Sequence, residues 1–89
     1  MSRYEKDPDA KLDYALDWSA WLPEGDSITV AQWTVPDGLD QSDDTIDGTK
    51  TTVWLSGGQL GERHVVTCRV TTAQGRVDDR SISLHITDR

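Results

Sequence analysis

Phenylalanine and asparagine are missing from this chain, cysteine and methionine occur once each, and proline three times. Each shortage excludes something. Without Asn there is no N-glycosylation sequon. With Cys68 alone no internal disulfide can form, so a small core must depend on packing or on association with partners. No run approaches the roughly 20 apolar residues that a bilayer-spanning helix requires, and the opening MSRYEKDPDA lacks the apolar segment of a secretory signal. Folding in a cytosol, away from membranes, is the expectation. Cations are also scarce, with 9 Lys and Arg against 16 Asp and Glu and a net charge of −7. Nucleic acid is bound through clustered cations that displace counterions, so it is not an expected partner.

What is present suits one small globular domain. Of the 89 residues 35% are hydrophobic and 28% charged, within the range of chains that fold. A domain of this length buries roughly 60 to 65% of the surface its unfolded chain exposes. The charge is uneven: Met1 to Gly48 hold 12 acidic and 3 basic residues, whereas Thr49 to Arg89 hold 4 acidic and 6 basic. Unlike halves could guide head-to-tail contacts between copies or docking on a basic partner. The alternative is that acidity only keeps a small domain soluble.

Period-2 alternation is the dominant pattern and predicts half-buried strands. Leu12, Tyr14, Leu16 and Trp18 fall on one parity, with Asp13, Ala15 and Asp17 on the other. A turn over Ser19 to Leu22, ended by Pro23, should follow. In SITVAQWTV (Ser27 to Val35) the apolar parity switches, which predicts a β-bulge or change of sheet near Ala31. PDG at Pro36 to Gly38 reads as a turn. Leu39 to Gly48 is polar and Asp-rich and promises at best a short edge strand around Thr45 and Ile46. KTTVWL (Lys50 to Leu55) is a strand, and SGGQLG (Ser56 to Gly61) a loop. His64 to Thr72 and Val77 to Ile86 form a hairpin across AQGR, where Gly75 supplies the positive φ such a loop needs. Six or seven short strands and no convincing helix predict an all-β sandwich or small barrel.

Catalytic and metal constellations are not apparent. Asp40, Ser42 and Asp44 fit the first ligand positions of an EF-hand, but Thr45 and Thr51 then occupy the places of its Gly and bidentate Glu. A solvated turn is the preferred reading of Asp40 to Asp47, with a cation held between sandwich loops as the alternative. Asp13 and Asp17 share a strand face about 13 Å apart, beyond the reach of paired catalytic carboxylates. His64 and Cys68 are separated by the same distance, too far for a nucleophile and its base. Cys68 reads as a small core residue and His85 as surface. GGQLGER lacks the lysine and following helix of a phosphate cradle. No enzyme and no cofactor is expected.

Four tryptophans in a chain without Phe are the unusual feature. Trp18 and Trp33 lie on apolar faces and should be core, each indole N–H finding a partner. Trp21 in its turn and Trp54 between Val53 and Leu55 include at least one candidate for exposure. Exposed Trp can anchor a protein interface or stack on sugars, so Trp21 and Trp54 are the alternative glycan-stacking residues of a carbohydrate-binding module.

KDPDAKLDY, DWSAWL, GDSI and WTVPDGL, followed by TVWLSGG and VVTCRVTTAQGRVDDRSISLHI, resemble small immunoglobulin-like structural proteins of tailed bacteriophages and prophages, described as fibre-to-tail adaptor or neck proteins. The similarity runs from Lys6 over nearly the whole chain. It implies an immunoglobulin-like β-sandwich of about seven short strands. It also implies a non-enzymatic virion component, present in several copies, assembled in the host bacterial cytoplasm and contacting neck, tail or connector proteins. Residues 1–10 are then expected as an extended N-terminal arm and 11–89 as the sandwich, because Pro8 opposes helix and the first residues lack a core-facing pattern. Arg3, Tyr4, Lys6 and Asp7 on that arm, with Trp21, are the expected partner interface. Removing Met1 to Pro8 should leave the fold intact and abolish incorporation into particles.

Overall fold

A computed structural model describes residues 2–88. Seven strands follow one another along the chain: β1 (Ser2–Lys6), β2 (Leu12–Asp17), β3 (Ile28–Thr34), β4 (Leu39–Asp47), β5 (Lys50–Gly57), β6 (Arg63–Thr72) and β7 (Val77–Ile86). They form a four-stranded sheet in the order β1, β7, β6, β3 and a three-stranded sheet in the order β2, β5, β4. Every pairing is antiparallel except that of β1 with β7. Two such sheets face to face are the β-sandwich that the strand spacing predicts.

Alternation along the strands places the core. Tyr14 and Leu16 from β2, Val53 and Leu55 from β5, Val66, Cys68 and Val70 from β6, and Ile82, Leu84 and Ile86 from β7 point between the sheets. Each buried aliphatic side chain contributes about 1.5 to 3 kcal/mol. Trp18 is fully buried just after β2, and its Nε1–H donates to the Thr51 hydroxyl at 3.0 Å. Arg80 lies over the Trp18 ring with its guanidinium carbon 4.4 Å from the centroid, and donates to the Asp17 carbonyl at 2.9 Å.

Three departures from the sequence reading have physical causes. Leu39 to Asp47 is a nine-residue strand rather than a short edge piece. It buries only Leu39, so no apolar alternation announces it; the two-residue loop Gly48 and Thr49, with Gly48 at φ 60°, folds it back onto β5. The irregularity in β3 falls between Ile28 and Val30, before Ala31, which keeps Ile28, Ala31 and Trp33 all facing the core. The third departure is β1. The segment expected as an arm is extended, but it lies along β7 with Ser2 opposite Ile82 and Lys6 opposite Ile86.

Candidate interaction surfaces

Lys6 is the residue whose placement differs most from expectation. It is fully buried, and its ammonium donates to the Gly57 carbonyl at 2.7 Å and the Asp7 carbonyl at 2.9 Å. Desolvation lowers its pKa, with Asp7 and Asp9 acting in the opposite sense. The expectation that Lys6 meets a neighbouring subunit is therefore corrected: it ties β1 to the end of β5, inside the chain. Asp7 is half-buried and accepts a hydrogen bond from the Asp9 amide at 2.8 Å, shaping the turn after β1.

Arg3 and Tyr4 remain at the surface. Tyr4 is 38% exposed, its ring 5.1 Å from that of Tyr14. With Arg3 it lines an open depression of about 350 Å³ completed by Glu5, Arg63, Ser83 and His85. The pairing of β1 with β7 puts Arg3 opposite Ser83 and Glu5 opposite His85, and that of β6 with β7 puts Arg63 opposite the same His85. Sequence reasoning marked Arg3 and Tyr4 but missed Arg63 and Ser83. Parity could have placed Arg63 on the outer face, but bringing it near Arg3 needs the parallel β1 to β7 pairing.

The two remaining candidates do not share a site. Trp21 is half-buried, its ring edge-on to Trp18 at 5.5 Å. Trp54 points outward from β5, 37% exposed between the buried Val53 and Leu55. It lies in a second open depression, of about 620 Å³, with Lys11, Ser42 and Asp43. Asp13 is opposite Trp54 on β2 and Asp43 opposite it on β4.

Among the described residues, the thiol, imidazole and carboxylates considered from the sequence do not come together at these surfaces. Cys68 is buried and its thiol is pushed up by burial, with the Thr51 hydroxyl 3.6 Å from Sγ. His64 is buried against the Glu62 carboxylate at 3.2 Å, where hydrogen bonds from the Gln59 amide and then His64 hold Glu62 below its usual range. The carboxylates of Asp40 to Asp47 are spread along β4, and among the described residues no group of three or more His, Cys, Asp or Glu converges on a common point.

With this geometry in view, known proteins give the chain its relations. Residues 6–85 match the family described as podophage GP4 fiber-tail adaptor protein gp77. The chain belongs to that family. The fiber-tail adaptor match spans β2 to β6 and nearly all of β7, so it rests on the sandwich itself. Among solved structures, the solution structure of the PKD domain from KIAA 1837 protein is similar, with a TM-score of 0.61 and 19% identity over 99% of this chain and 80% of that one. At that identity the likeness shows the fold alone, an immunoglobulin-like sandwich. No curated protein matches. The adaptor family and this fold together make the chain a small immunoglobulin-like structural protein of phage.

Proposed function

We propose that this protein is a non-enzymatic adaptor of a tailed-phage virion that joins fibres to the tail through protein–protein contacts, in several copies, after assembly in the host cytoplasm. Membership of the fiber-tail adaptor family over residues 6–85 carries this reading. The outer faces of both sheets support it, since each offers an open depression lined by exposed charged and aromatic side chains, the chemistry of protein interfaces. Arg3, Tyr4, Asp7 and Trp21 are the contact residues carried forward from the sequence, Lys6 being buried. Particles assembled without this chain are expected to keep their heads and tails and to lose their fibres, which electron microscopy reads directly. Fibres retained at normal occupancy would overturn the assignment.

A second reading, a carbohydrate-binding sandwich, draws on the exposure of Trp54 beside Lys11, Ser42 and Asp43. A sugar stacking on that indole would change tryptophan emission during glycan titration, and the change would vanish in Trp54→Ala. The adaptor reading expects no change.

A further inference from the structure

The two outer faces of the sandwich carry complementary chemistry. On the three-stranded sheet, register aligns Asp13, Trp54 and Asp43 in one row, Ala15, Thr52 and Thr45 in the next, and Asp17, Lys50 and Asp47 in the third. Lys11 stands at the rim. Directly opposed residues on neighbouring strands have Cβ atoms about 5 Å apart, so the Trp54 indole lies between two carboxylates. A ring with a negative face and a carboxylate on either side is a receptor for a guanidinium, which can stack on the indole while its N–H groups reach the acids.

The four-stranded sheet supplies such groups. Of the five described arginines, Arg69 is held by both oxygens of Asp79, Arg76 by Asp26, and Arg80 by the Asp17 carbonyl and the Trp18 ring. Arg3 and Arg63 form no ion pair among the described residues, and both line the same depression on the outer face.

We propose that these two faces bind each other between copies of this chain: Arg3 and Arg63 of one copy enter the Trp54 depression of the next and engage Asp13 and Asp43. A second copy is the occupant because the complementary halves belong to one chain and, among the described residues, Arg3, Arg63, Asp13 and Asp43 form no ion pair within it. Strand-edge association is the less favourable route. An edge such as β4, with Asp40, Asp43, Asp44 and Asp47 and a register shift at Ser42, would meet its own charge in another copy. The contact joins unlike patches, so its repetition builds a ring or a filament rather than a closed dimer. The proposal rests on the multi-copy reading of the adaptor and names the surface that would carry it.

Sedimentation velocity on the purified full chain tests the contact. Wild type should associate with rising concentration, and Kd should increase at least tenfold between 50 mM and 500 mM salt as the charges are screened. Arg3→Glu with Arg63→Glu, and separately Asp13→Lys with Asp43→Lys, should each stay monomeric while melting as wild type does. Mixed in equal amounts they should form a 1:1 complex, because each keeps the face the other has lost. Should a double variant lose its fold, Arg63→Gln alone should still raise Kd severalfold. Wild type that is monomeric throughout, or assembly that these variants leave unchanged, would overturn the proposal. Particle incorporation separates this failure from that of the adaptor reading. A chain that enters particles without self-associating removes only this contact, and one that self-associates but never enters particles removes only the adaptor.

Discussion

Trp18 and Trp33 look equivalent as residues, each an indole at an apolar parity, yet their surroundings divide them. Trp18 is fully buried and its N–H is satisfied by Thr51, whose hydroxyl also touches Cys68. Trp33 packs at the margin of the core, and among the described residues its buried Nε1 has no hydrogen-bond partner. Replacement by Phe should therefore separate them. Trp18→Phe removes a paired group and leaves a void, a loss of about 2 to 4 kcal/mol. Trp33→Phe removes an unpaired donor and should cost less than about 1 kcal/mol. Chemical denaturation of both variants checks the difference, and equal losses would contradict it. Thr51→Val, which preserves shape but strands the Trp18 N–H, should cost about 1 to 3 kcal/mol by the same measurement. The sequence showed that both tryptophans face inward; it could not show which one meets a hydroxyl, because Thr51 lies 33 residues from Trp18.

At the scale of elements, β1 carries the largest revision. Its pairing with β7 and the buried Lys6 ammonium make it part of the four-stranded sheet. Removing residues 1–8 should lower the melting temperature rather than leave it unchanged, and Lys6→Met should lose about 1 to 3 kcal/mol by taking the Lys6 donor from the Gly57 carbonyl, whereas the Asp7 carbonyl keeps the Ala10 amide. The loop after β5 is similarly constrained. Gly58 sits at φ +94°, and a Cβ there would meet Ile86 Cδ1 at 2.8 Å. Gly58→Ala should destabilise by more than about 1 kcal/mol through both strain and overlap. Asp26 joins the entry of β3 to the β6 to β7 hairpin. Burial alone would raise its pKa, but hydrogen bonds from Thr72, the Ser27 and Gln74 amides and Arg76 outweigh it and hold the carboxyl low. A depressed folded pKa gives stability that is fully present above the unfolded carboxyl value near 4 and is lost as pH falls through the folded one. The gap in stability between wild type and Asp26→Asn should thus be widest above pH ~5 and close on acidification. A gap that widens in acid would refute this.

Across the whole molecule, the uneven charge of the sequence becomes a difference between faces. Asp13, Asp17, Asp43 and Asp47 gather on the outside of the three-stranded sheet because β2 and β4 flank β5, while Arg3 and Arg63 gather across the sandwich because β1 and β6 flank β7. The sum of charges was legible from composition; the segregation depends on strand order. By itself the sequence determined the all-β class, the inward parity of Tyr14, Leu16 and Trp18, the core place of Cys68, the Gly75 hairpin and, through its family motifs, the adaptor kinship. Those features are local or repeat along the chain, since strand parity and turn chemistry act over a few residues. Tertiary structure alone decided that residues 2–6 form a strand, that Lys6 turns inward, that Asp-rich β4 is a nine-residue strand, and that Trp54 stands between Asp13 and Asp43 in the sheet register. Each of these depends on backbone hydrogen bonds or close approach between segments far apart in the chain, and such pairings leave no periodic mark on the residues that make them.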